Sequence, residues 1–130
     1  MVIDTSALLA ILLQEEEGAA FAEAIEEGPT RLLSAVSFLQ TALVVETRKG
    51  PAGGRELDLA LHHARVDIVP FDSTQAEIAR EAYRRFGRGR HPAALNLGDC
   101  CAYALAVATR EPLLFKGEDF AKTDLESWRK

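Results

Sequence analysis

The chain reads as an α/β domain with a mostly parallel central sheet and helices on both of its faces. Three observations point there. Short apolar, β-leaning runs alternate with longer helical patterns. Each strand candidate is separated from the next by at least one helix, so the connections must cross over rather than turn back. The runs Ile68-Val69 and Leu113-Leu114-Phe115 are continuously apolar, as strands covered on both faces are.

Strand candidates occupy residues 2–4 at the start, 31–34 after Gly28-Pro29, 66–69 before Pro70 and 113–116 after Pro112. Helical compositions fill residues 5–13, 16–26, 37–49, 55–65, 73–86 and 97–109. Gly50-Pro51-Ala52-Gly53-Gly54 and the Gly87-Arg88-Gly89 segment read as breaks. With 130 residues, 48% hydrophobic and 27% charged, the length suits one domain over 1–130 and no second of ordinary size.

The longest uninterrupted apolar run, 100–108, falls well short of the roughly 18 residues a membrane span needs. Asp4 interrupts the N-terminal stretch and no basic segment precedes residues 7–13, which argues against a secretory signal. Cys100 and Cys101 are the two cysteines, side by side. Neighbouring helical residues point about 100° apart, and no redox or zinc spacing accompanies them, so they read as small buried apolar groups. The expected compartment is the cytoplasm.

Net charge is −5, which argues against simple electrostatic adhesion to nucleic acid. The distribution says something different. Arg84, Arg85, Arg88 and Arg90 lie with His91 in a stretch free of acids, leaving eleven basic against twenty acidic residues elsewhere. That segment is either a phosphate-tracking loop or a solvated helix end whose arginines suit the C-terminal dipole.

In an open parallel sheet, the loops at the carboxyl ends of the strands hold ligands. Asp4 ends the first strand candidate, Asp72 follows the third, and Glu118 and Asp119 follow the last. Asn96-Leu97-Gly98-Asp99 reads as a helix cap and first turn facing the same rim. Taken singly, Asp4 and Asp119 also read as helix caps and Asp99 as a dipole partner. Taken together, two carboxylates about 4 Å apart repel by on the order of 4 kcal/mol at an effective dielectric of 20, and a cation or proton must relieve that. Hard oxygen ligands in an open pocket select Mg²⁺ or Mn²⁺, which bind phosphate oxygens and assist hydrolysis of phosphodiesters.

Met1-Val2-Ile3-Asp4-Thr5-Ser6-Ala7, Ser34-Ala35-Val36-Ser37, the segment from Asn96-Leu97-Gly98-Asp99 to Ala106, and Pro112-Leu113-Leu114-Phe115-Lys116-Gly117-Glu118-Asp119-Phe120 resemble the PIN-domain ribonucleases, specifically the VapC toxins of bacterial toxin–antitoxin pairs. The resemblance runs over essentially the whole chain, in order. It implies a three-layer α/β/α sandwich, a Mg²⁺-dependent endoribonuclease with Mn²⁺ as a substitute, a homodimer, and a cognate antitoxin that blocks the site. By that resemblance Asp4 and Asp99 hold the metal. Asp119 matches the last acid, with Glu118 the competing choice, and Thr5 or Ser6 adds a hydroxyl beside Asp4 or caps the helix.

One position departs from the family's pattern, which places Glu where this chain has Gln40. The amide keeps the shape and loses the charge, so a catalytically impaired module that still docks antitoxin or RNA is the alternative function. Ser37-Phe38-Leu39-Gln40 also has the pattern of an S-x-x-Q capping box. Glu46 does not replace Gln40, because six residues advance a helix by about 600° and leave it some 120° off that face. His62 and His63, adjacent at a helix end, suit the dipole better than a shared metal. A phosphoacceptor domain built on Asp72 and Lys116 is a rival class, weakened by the single acid of Asp4-Thr5-Ser6 where an acidic pair is wanted.

Overall fold

Every pairing in the sheet is parallel, and the strand that opens the chain lies inside it rather than at an edge. The computed structural model describes residues 1–128. The elements are β1 (Val2–Ile3), α1 (Thr5–Leu12), α2 (Gly18–Glu27), β2 (Leu32–Ser34), α3 (Ala35–Lys49), α4 (Pro51–His63), β3 (Asp67–Val69), α5 (Ser73–Phe86), α6 (Leu97–Thr109) and β4 (Leu113–Leu114), followed by a 3-10 turn at Phe120–Lys122. The strand order is β3-β2-β1-β4. Val2 pairs with Leu32 on one side and Leu113 on the other.

Alternation along the strands divides the core in two. Val2 and Leu113 pack with the buried residues of α5 and α6, including Ala82, Phe86 and Tyr103. Ile3, Leu33 and Leu114 point the other way, onto Leu8, Val45, Leu57 and Leu61 of α1, α3 and α4. The result is the expected three-layer sandwich, with α5 and α6 on one face and α1 to α4 on the other. Ile3, Leu33 and Leu113 are fully buried, each stabilising the fold by roughly 1.5–3 kcal/mol of apolar transfer.

Three local readings of the sequence are corrected. Helix α3 starts at Ala35, not at residue 37, because Ser34 at the end of β2 accepts the Val36 N–H at 3.2 Å and caps it. Ser37 is therefore fully buried inside the helix, Gln40 is an interior helical position, and no S-x-x-Q box exists. Helix α4 begins at Pro51 rather than Arg55, directly after Gly50 at φ +66°. Gly53 is not a break: a Cβ there would come within 2.4 Å of the Val45 carbonyl oxygen, so the glycine permits close approach of α3 and α4. Finally, β3 is an edge strand with Ile68 44% exposed, so its apolar run is not covered on both faces as the sequence suggested. The opposite edge is covered: Leu113 donates its N–H to Glu126 O at 2.9 Å, and Trp128 N–H returns to Leu113 O at 2.9 Å.

Candidate functional site

The chain reverses its strand order next to β1, with β2 and β3 on one side and β4 on the other. In such sheets the crevice at this switch point receives the ligand. Asp4 stands at the carboxyl end of β1 and caps α1, its Oδ2 accepting the Ser6 N–H at 3.0 Å and the Ser6 hydroxyl at 2.6 Å. Ser6 Oγ in turn accepts the Lys116 N–H at 2.9 Å, so the hydroxyl ties the end of β1 to the segment after β4. Thr5 turns away and donates to Ser37 O at 3.2 Å. Asp4 is 5% exposed. Burial pushes its carboxyl up to about 6, and the charge of Asp99 adds to that rise against the pull of the Ser6 bonds.

Asp99 is the third residue of α6 and completes a capping box. Its Oδ2 accepts the Asn96 N–H at 3.0 Å, while Asn96 Oδ1 accepts the Asp99 N–H at 2.9 Å. Burial raises its carboxyl above the ordinary range, helped by the charge of Asp119 and opposed by the Asn96 bond and Arg88. Asp4 and Asp99 thus both accept their capping bonds through Oδ2. Asp119 precedes the 3-10 turn without a capping bond from its side chain, and it, rather than Glu118, acts electrostatically on Asp99.

Gln40 reaches the same place from α3. A Cβ on Gly98 would lie 2.3 Å from the Gln40 amide atoms, so Gly98 is the space into which that amide fits, one residue before Asp99. Sequence reasoning missed this contact, although a glycine in the first turn of a helix was the available signal. Glu46 instead lies against Gly54 at the start of α4.

Other sequence candidates fall elsewhere. Asp72 caps α5 by accepting the Gln75 N–H at 2.9 Å and sits beyond β3, while Lys116 sits beyond β4. These are opposite edges of the sheet, about 14 Å apart across three strand spacings, so the two cannot form one phosphoacceptor site. The Lys116 ammonium binds Glu15 at 2.7 Å and Glu17 at 3.3 Å. His62 and His63 are exposed in the last turn of α4. Cys100 and Cys101 are buried, and burial followed by the Asp99 charge pushes the Cys100 thiol up to about 11.

The arginine segment divides. Arg84 pairs with Glu81 at 3.0 Å and Arg85 with Asp124 at 3.2 Å, acids supplied from outside the segment. Arg88 forms no ion pair among the described residues and acts on Asp99, and the Arg90 guanidinium lies 5.5 Å from the centre of the Tyr83 ring.

The donor set suits a hard divalent cation: a buried carboxylate at Asp4 and a half-buried one at Asp99, with the Gln40 amide packed against Gly98 next to Asp99. Among the described residues no three His, Cys, Asp or Glu side chains form a metal-holding group by themselves. An ion held by Asp4 and Asp99 would complete its shell with waters and phosphate oxygens.

A short parallel sheet with carboxylates gathered at its switch point defines an α/β protein of the PIN type. The PIN-domain family model matches residues 1–126. Over 125 residues the chain is 56% identical to ribonuclease VapC30 of Mycobacterium tuberculosis, covering 96% of this chain and 95% of that protein. It is 55% identical over 125 residues to ribonuclease VapC of Mycolicibacterium smegmatis, covering 96% and 97%. In fold it is similar to M. tuberculosis VapC20, a toxin described as cleaving the sarcin-ricin loop, with a TM-score of 0.80, 14% identity, and coverage of 99% and 98%. It is similar also to a chain of the VapBC2 complex of Rickettsia felis bound to promoter DNA, with a TM-score of 0.75, 17% identity, and 98% of each chain covered. The chain belongs to the PIN-domain family, and within it to the VapC ribonucleases, the toxins of toxin–antitoxin systems.

Proposed function

We propose that this chain hydrolyses RNA phosphodiester bonds with Mg²⁺, or Mn²⁺ in its place, bound by Asp4 and Asp99. The observation that carries the reading is that the charge of Asp99 acts on Asp4 and that burial raises both carboxyls. When bound, the ion supplies Lewis-acid polarisation of the phosphodiester and activation of water. Ser6 and Asn96 hold the two carboxylates in orientation through Oδ2. Asp119, whose side chain makes no capping bond, is assigned the acceptance of a proton from the attacking water. Arg88 offers the exposed cation for a substrate phosphate.

Gln40 supports a second reading, an impaired PIN module that docks RNA or antitoxin, because its amide occupies the family's acid position without the charge. The chain acts in the cytoplasm, and no helix among the described residues is long and apolar enough to cross a membrane. Its partners in this reading are RNA, a second copy of itself, and a cognate antitoxin that brings a Lys or Arg to the acids. Exposed Leu39 and Leu43, one turn apart on α3, support self-association.

The test compares the chain, antitoxin removed, with Gln40→Glu on a structured RNA at saturating Mg²⁺, using Asp4→Asn as background. Restoring one electrostatic contribution should raise the rate by on the order of 10²- to 10³-fold. Equal rates above background would remove the role given to position 40, and no cleavage by either protein would leave the docking module.

A further inference from the structure

A cavity of about 590 Å³ opens between α5 and α6, lined by Phe71, Tyr83, Leu97, Arg80, Arg88 and Asn96 among others. The first turn of α6 serves both places: it carries Asp99 at the rim and presents Leu97 and Cys100 to the cavity. Its size is that of a small-ligand pocket, its walls are apolar and aromatic with few polar groups, and no acidic side chain lines it.

We infer that this cavity takes one unpaired nucleobase of the RNA, the base next to the phosphodiester held at Asp4 and Asp99. The inference rests on the ribonuclease reading above and adds the base subsite to it. Tyr83 is 39% exposed at the cavity wall. Its ring is held in place: a Cβ on Gly87 would lie 2.8 Å from Tyr83 Cδ1, and Arg90 stands over the ring. A held, exposed aromatic ring is a stacking platform for a base, and stacking needs no particular base identity.

The polar groups agree. Asn96 uses its side-chain oxygen on the Asp99 N–H, leaving its NH₂ as a donor toward a base acceptor. Arg88 has no carboxylate in ion-pair contact among the described residues and reaches toward Asp99, where the substrate phosphate belongs. Arg88, with no acid in ion-pair contact, favours an anionic strand, whereas Arg80 is paired with Glu77 at 3.8 Å. The Arg88 charge repels the basic antitoxin segment that the acids attract, which is why the cavity is assigned to RNA rather than to the protein partner. A base inside a duplex cannot enter, so the substrate is single-stranded or unstacked at that point.

The experiment uses the full chain in the Asp4→Asn background, which leaves RNA intact, and a short single-stranded RNA carrying one 2-aminopurine moved along its length. Fluorescence should quench at one position and not when the strand is paired in a duplex. Tyr83→Ala should remove the quench and weaken binding roughly 5- to 100-fold, with Tyr83→Phe retaining both and the salt slope unmoved. Ala76, exposed at the cavity wall, provides a plug: Ala76→Phe should give the same loss without touching the core. Unchanged quench and affinity in both variants would overturn the assignment. So would loss of antitoxin binding with RNA affinity intact, which would give the cavity to the protein partner. Wild-type cleavage beside an unmoved Tyr83→Ala affinity sinks the subsite alone, whereas a wild-type chain that cleaves no RNA sinks the ribonuclease reading.

Discussion

Asp4 and Asp72 occupy the same local grammar and end in different chemistry. Each follows a strand, each caps the helix that comes next, and each accepts a backbone N–H at about hydrogen-bond distance, 3.0 Å for Asp4 and 2.9 Å for Asp72. Asp72 lies beyond the edge strand β3, exposed, with capping as its visible task. Asp4 lies beyond β1, where the sheet reverses its order, and is 5% exposed with Asp99 acting on it. An acid at a strand end is a cap by default. Its carboxyl is pushed up, as at Asp4, when the sheet buries it and brings a second acid near.

The largest effect expected from breaking this comparison is on catalysis. Asp4→Asn should lower RNA cleavage by at least on the order of 10²-fold, the scale of losing one electrostatic stabiliser, and should weaken Mn²⁺ binding by calorimetry. Asp72→Asn should change neither. Equal losses from both would mean that the two caps are not different after all.

The next effect is on stability against pH. The folded-state pKa of Asp4 is raised to about 6 from 3.8, so between those values the native state binds more protons than the unfolded one, and stability falls as pH rises. Below the unfolded value the contribution vanishes, and above about 6 the penalty is complete, on the order of 3 kcal/mol by the size of the shift. Metal-free protein should therefore melt higher near pH 5 than near pH 7.5, and Asp4→Asn should flatten that difference. Saturating Mn²⁺ should recover stability at the higher pH. A metal-free melting temperature independent of pH in this range would remove the buried charge from the account.

The smallest effect belongs to the ordinary cap. Asp72→Ala should cost about 1 kcal/mol in urea unfolding, the usual worth of an N-cap, with cleavage unchanged. In Asp4→Ala the lost cap and the removed buried charge oppose each other, so its net stability change at pH 7 should be smaller than the loss of its cap alone or of opposite sign.

Much of this was legible in the residues. The four strand and six helix segments follow from composition and breaker residues, and the Asn96 to Asp99 cap was readable because its bonds are local, between residues three apart. The errors were local readings overridden by contacts from elsewhere. Ser34 took the cap that Ser37 was read to make, since α3 begins where β2 stops. Gly53 stayed inside a helix because α3 comes close. The basic segment lost two of its four arginines to Glu81 and Asp124.

The sequence alone determined the alternation of strands and helices, and hence a parallel sheet, because crossover helices leave parallel pairing as the favoured arrangement. It also determined which side chains carry oxygen donors and where a charge is replaced by an amide. Only the tertiary structure decided which of several strand-end acids meet. Strand order and burial set the distances and the dielectric between charges, and neither is written in the spacing of one residue from the next.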